Sequence, residues 1–300
     1  MKNAIYYVMI STVVFTWGFD PIVNSFFYKS FSATALSTLT TFVSTILLFI
    51  ISFKKLKSIN KRYFKIAVPI CALNSLACVL QKIGLQYTTP ANYAFLEQLA
   101  CVIVPIALFA FTRVRPSLQQ IIASVICLTG CFIFSGLGFG NAFSLGIGEI
   151  LCATAGIMFG VCIAATGVFA KGFDIGIYMF IHMLCYFTVS GGMALALHLI
   201  KDGGVSVESF IFATDPIVIL LAACYGLFAI GICWLLRTEA LRNVNPTFVA
   251  VTSPLSAVIT GLMSLILGFD RLSVNFTVGA LLIIAALFIL VIPFRKRKKA

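Results

Sequence analysis

Stretches of roughly twenty apolar residues, each closed by a short polar or charged break, follow one another along the whole chain. At 1.5 Å per residue, about 20 residues cross the roughly 30 Å hydrocarbon core of a bilayer, so each stretch reads as a membrane-spanning helix. The breaks mark ten spans, at 4–28, 33–53, 66–87, 91–112, 119–138, 147–170, 175–199, 216–236, 246–268 and 273–293. They leave no room for a soluble domain. The first span is too long for a cleavable signal peptide, and no small-residue cleavage site precedes the next run.

Composition agrees with this reading: 61% of residues are hydrophobic and 10% charged. The net charge of +12 would suit a nucleic-acid binder, but the basic residues sit where topology needs them. With the N-terminus inside, 17 of the 21 Lys and Arg fall on the inner side, at Lys2, in "KKLKSINKRYFK", at Arg113, Arg115, Lys171, Arg237 and Arg242, and in the tail "RKRKK". The positive-inside rule then places both termini in the cytoplasm, and no nucleic-acid partner is expected. The tail reads as a stop-transfer anchor. The ten cysteines lie almost entirely within spans, without C-x-x-C pairs or nearby His, and read as small packing residues rather than disulfide or metal ligands.

Glycine-rich "GLGFGNAFSLGIG" divides the chain into two sets of five spans, residues 1–142 and 143–300. Five is odd, so a duplicated half enters the membrane in the opposite sense the second time: the expected fold is all-α, ten transmembrane helices in two inverted repeats. "GLQYTTPAN" and "ALRNVNPTF" align at equal spacing, sharing Leu85 with Leu241 and Pro90 with Pro246. Both prolines suit the first turn of a helix. Pro21, Pro105 and Pro254 fall inside spans and free the carbonyls of Trp17, Cys101 and Ala250; they are gating candidates, with static kinks as the alternative.

"TWG" in span one, "GLQYTTPANYAFLEQLACVIVPIALFAF", "RVRPSLQQ" and "GCFIFSG", then "GIGEILCATAGIMFG" and "LGFDRLSVNFTVGALLIIAALFIL" together resemble the EamA branch of the drug/metabolite transporter superfamily. The resemblance runs over essentially the whole chain. It implies carriers of amino acids, related amines and other small metabolites, with export the commoner direction, in a bacterial cell membrane. Many members of that family carry a Lys in span one and an Arg in span two, where this chain has Ser25 and "STLTTF", and Val114 stands near the first half's missing turn acid. The site must therefore be argued from this chain's own charges.

A charge at mid-bilayer costs about 2.5–3.5 kcal/mol on insertion scales, so intramembrane charges face inward and find partners. Asp20 lies about 24 Å along span one, Lys82 about 8 Å from the outer end of span three, and Glu97 about 10 Å below the start of span four. Glu149 occupies the first outer turn of span six. These depths put Asp20, Lys82 and Glu97 at one level in the outer half, with Lys82 expected to pair with one carboxylate while the other takes a substrate amine or a proton. The alternative is a structural ion triad. Trp17, Gln81, Asn92, Tyr93 and Gln98 lie around this depth and complete the binding candidates, while His182 in span seven is either a protonatable cavity group or a packing histidine. Arg237 and Glu239 read as an interfacial pair or anchors, and Gly156-x-x-x-Gly160 as a close helix contact within the bundle or between subunits.

The expected function is secondary transport of a small polar metabolite, an amino acid or amine first, by alternating access. No G-x-x-x-x-G-K-[ST] loop suggests nucleotide drive, so a substrate gradient or protons would supply the force; no cofactor or metal is expected, and the protein would act as monomer or homodimer. An intramembrane enzyme acting on a lipid is the rival, disfavoured by the absence of H-E-x-x-H and G-x-S-x-G; a passive channel is the third reading.

Overall fold

The computed structural model describes residues 4–85, 87–88, 90–135, 146–199, 211–267 and 273–292, and these fold into helices joined by short turns. Ten spans result: α1 Ala4–Phe27, α2 Ala33–Ser52, α3 Val68–Leu85, α4 in two segments Pro90–Glu97 and Ala100–Thr112, α5 Leu118–Phe134, α6 Ile147–Phe169, α7 Ile175–Leu199, α8 from Pro216 to Asn243, α9 in two segments Pro246–Thr252 and Leu255–Ile266, and α10 Val274–Val291. Nine of these runs are long and apolar enough to cross a membrane. The tenth, α5, has 17 residues, the lower end of the roughly 17–25 that can span. The side at which α1 begins is called the near face, and its opposite the far face. The tail "RKRKK", the "LGFDRL" turn and the boundary at 142–143 lie outside the described residues.

Local chemistry sets where the helices start. Ser32, Asp215, Asn245 and Ser273 each accept a hydrogen bond from a backbone N–H in the first turn of the helix that follows. Ser117 and Gln120 close a reciprocal capping box at α5. Pro90 opens α4 and Pro246 opens α9, as their alignment anticipated. The polar residues of α2 that looked out of place in a membrane are satisfied by their own helix: Ser37, Thr40, Thr41, Ser44 and Thr45 all donate to carbonyls four residues back.

The helix contacts repeat when each span is exchanged for the one five later. α2 packs on α7 and α5 on α10; α3 with α6 is matched by α8 with α1, α4 with α6 by α9 with α1, and α3 with α7 by α8 with α2. The symmetry reaches single atoms. A Cβ on Gly160 of α6 would lie 2.5 Å from Ile103 Cβ of α4, and one on Gly18 of α1 would lie 2.5 Å from Ile259 Cγ2 of α9. Ile103 and Ile259 stand at the same distance after Pro90 and Pro246. Because five spans separate equivalents, they cross the membrane in opposite senses.

Gly156 would place a Cβ 2.3 Å from the Leu96 carbonyl oxygen, so the Gly156 and Gly160 pair is a contact within the bundle, seating α6 on both segments of α4. α1 and the second segment of α4 run uninterrupted through Pro21 and Pro105. The interruptions fall elsewhere, at Gln98–Leu99 in α4 and at Ser253–Pro254 in α9, so only Pro254 of the three interior prolines marks a break.

Candidate functional site

α8 shapes the interior. Its middle, Gly226–Ile232, is a wider π turn, which loosens the usual ladder and leaves carbonyls for other helices. Ser44 of α2 donates to Gly226 O at 2.7 Å, and Trp17 of α1 donates its Nε1–H to Ala229 O at 3.1 Å. Tyr225, just before the wide turn, donates its hydroxyl to Asp20 Oδ1, while Asn24 donates to Asp20 Oδ2 at 2.8 Å. Asp20 is thus held by a phenol and an amide.

Lys82 donates to Ser37 Oγ and lies 5.6 Å from the centre of the Tyr186 ring, within electrostatic reach of Asp20. At the near face, Lys55 pairs with Asp174 and Arg242 with Glu239. Glu97 ends the first segment of α4, beside the interruption, with the Gln81 side chain against it and Asp20 and Arg237 in electrostatic reach. Tyr93 stands near both Glu97 and Asp20, and Gln98 is buried in the break itself. Glu149 is engaged at the start of α6, accepting from the Gly146 N–H at 3.0 Å and from Thr88. The Asn92 side chain lies outside the described residues.

Arg237 corrects the sequence reading. It does not sit at the interface with Glu239, whose carboxylate takes Arg242 at 2.8 Å. Arg237 turns inward, its guanidinium carbon 5.5 Å from the centre of Trp17 and 5.1 Å from that of Trp234. These are the only two tryptophans in the chain. Arg237 lies nine residues before Pro246 as Gln81 lies nine before Pro90, so the two are equivalents in the inverted halves. Spacing carried the missed signal: Trp234 and Arg237, three apart, share a helix face.

His182 lies beside them, its ring 4.8 Å from Trp234 and its Nε2 2.8 Å from Asn74 Nδ2. An amide donor there makes Nε2 the acceptor and puts the proton of the neutral ring on Nδ1. Arg237, His182, Trp234, Asn74, Thr166 and Thr238 border one cavity of about 20 Å³.

The interruptions in α4 and α9 are bonded across the bundle. Pro254 removes a donor from its helix, and the Ala250 carbonyl accepts from the Cys101 thiol at 3.2 Å; the next carbonyl, of Val251, accepts from Cys127 at 3.7 Å. Cys101 lies in the first turn just past the other break, so each interrupted helix stabilises the other. A second cavity of about 500 Å³ opens at the near face, lined by Pro105, Arg115, Lys171, Asn245 and Pro246 among others.

The turn into α7 is tied down at the near face. Lys55 pairs with Asp174 at 2.8 Å, Asp174 donates its N–H to the Tyr63 hydroxyl at 2.9 Å, and Arg242 donates to the Phe173 carbonyl at 2.8 Å. Partial burial pushes the Asp174 carboxyl up, but hydrogen bonds from Lys55 and from the backbone of Ile177 and Gly176, with the Lys55 charge, outweigh it and hold it below its ordinary value.

Residues 4–136 match the model of the EamA-like transporter family. The match takes in the first five helices. The matched residues include Trp17, Asp20, Lys82 and Glu97, and with the membrane-length helices the match supports a multi-pass membrane transporter of the drug/metabolite type. A solved crystal structure, described only as that of a protein, shares the fold with a TM-score of 0.77 at 14% identity, over 95% of this chain and 97% of its own. A search of curated proteins finds no match.

Proposed function

We propose that this transporter carries a small amine-bearing metabolite, an amino acid or close relative, by alternating access between two inverted halves, residues 1–142 and 143–300, with both termini cytoplasmic. The observation that carries the reading is the paired interruption of α4 and α9 at matching places in the two halves, with Glu97 at the first. At both places the backbone stays helical but tightens into i→i−3 bonds, and such departures from regular helix at matching depths in the two repeats are where inverted-repeat carriers tend to place substrate. Glu97 and Asp20 then supply negative charge for an ammonium group, and either can carry a coupling proton. Trp17 and Tyr93 flank them. Export is the direction we assign, with the near-face ties of Asp174 and Phe173 opening to admit substrate.

Flux of labelled amino acids and amines into proteoliposomes, measured across pH for the wild type, Glu97→Gln and Asp20→Asn, tests this. Loss of flux or of its pH dependence in at least one variant is expected. Unchanged transport in both would remove the acids from the mechanism.

A further inference from the structure

The cavity beside Arg237 contains donors without acceptors. The Arg237 Nε is closed off from solvent and has no hydrogen-bond partner. His182 Nδ1, which carries the ring proton, is likewise buried and unpartnered. The faces of Trp17 and Trp234 stabilise the Arg237 charge but accept no N–H bond in its plane. A buried N–H left in this state is costly unless an acceptor arrives. An acceptor reaching both donors would satisfy them, and the Arg237 charge favours an anionic one.

Its size follows from the space. About 20 Å³ admits one water-sized group, enough for a single carboxylate oxygen to reach the Arg237 and His182 donors. Its charge follows from the neighbours: Glu97, within electrostatic reach of Arg237, would repel a dianion. Arg237 presents a planar fork that matches carboxylate geometry.

We propose that Arg237, seated between Trp17 and Trp234 and assisted by His182, is the subsite for the carboxylate of a zwitterionic amino acid whose ammonium group faces Glu97. This rests on the amine-carrying reading above and narrows it: simple amines would be poor substrates. The Gln81 amide, equivalent to Arg237 in the other half, would then accompany the ammonium end at Glu97. The substrate side chain would extend toward Asp20 and Tyr93.

The two tryptophans both flank Arg237, so intrinsic fluorescence reports this site directly. Protein in lipid nanodiscs would be titrated with the common L-amino acids; for the tightest binder, the decarboxylated amine and the deaminated acid would follow, in wild type, Arg237→Gln, Arg237→Lys and Glu97→Gln. At least one amino acid should shift Trp emission saturably, and loss of its carboxylate should weaken binding on the order of tenfold or more in the wild type. Arg237→Gln should erase that preference while leaving the amine's affinity unchanged, and Arg237→Lys should keep part of it. If Arg237→Gln does not fold, the wild-type comparison of amino acid with amine decides alone. An amine that binds as tightly as its amino acid, or a preference that survives Arg237→Gln, overturns the subsite while leaving amine transport standing. Silence from amino acids and amines alike sinks both.

Discussion

The Asp20 side chain is held inside the membrane by two neutral donors, Tyr225 and Asn24, and lies within electrostatic reach of Lys82, one of the two carboxyls expected to meet it. A neutral clamp holds the charge in place without cancelling it, which leaves Asp20 able to meet a cation or a proton. Hydrogen bonds to charged groups contribute about 1.5–3 kcal/mol, so Tyr225→Phe should lower thermal stability by that order in the wild type and by much less once Asp20 is Asn. Simple additivity in that double-mutant cycle would show that the bond contributes little. Asp174, outside the membrane, behaves differently. Its folded pKa is depressed, so its contribution is complete above the unfolded value of 3.8 and is lost only as pH falls through the lower folded value. The Lys55–Asp174 tie should therefore be constant between about pH 5 and 8, and Asp174→Asn should cost the roughly 0.2–1 kcal/mol of an exposed pair across that range, read by thermal melts at several pH values. A tie that weakened between those pH values would contradict the sign of the shift.

At the scale of helices, the interrupted spans depend on close seating by glycine. A Cβ at Gly156 would sit 2.3 Å from the Leu96 carbonyl, backbone that cannot swing aside, so Gly156→Ala should destabilise by about 1–3 kcal/mol and disturb the break that presents Glu97. Gly192, where an added Cβ would meet nothing within 4 Å, is the internal control: Gly192→Ala should be neutral or stabilising by up to about 1 kcal/mol. Thermal unfolding of the two variants side by side checks this, and equal behaviour would mean that α6 does not brace α4. Cys101→Ala should cost about 1 kcal/mol, by leaving the Ala250 carbonyl unbonded at the Pro254 break.

For the whole molecule, the ten spans and their duplication were legible in the sequence because bilayer thickness fixes helix length and an odd number of spans per half forces inversion. Pro90 and Pro246 gave the internal register, and Gly156 with Gly160 gave a contact whose partner only packing could name. The site was legible in part. Depth arithmetic put Asp20, Lys82 and Glu97 at one level, and the fold sets Asp20 within electrostatic reach of the other two; the inward turn of Arg237 was not read, because its long side chain reaches from near the helix end into the interior and snorkelling outward is the commoner outcome. The break at Gln98–Leu99 was also hidden. No proline marks it, and it arises where Gly156 and Gly160 admit α4 closely enough for its two segments to seat separately. The balance of two acids against Lys82 and Arg237 leaves the interior formally neutral, the setting in which a zwitterion crosses without carrying net charge.

Carrier action is tested most directly by counterflow: liposomes holding wild-type protein and a high internal concentration of an unlabelled amino acid, diluted into a trace of the same labelled compound. The wild type should accumulate label transiently above equilibrium, with saturable dependence on concentration, and Glu97→Gln should not. Label that only equilibrates, in linear proportion to its concentration and equally in both proteins, would contradict alternating access around Glu97.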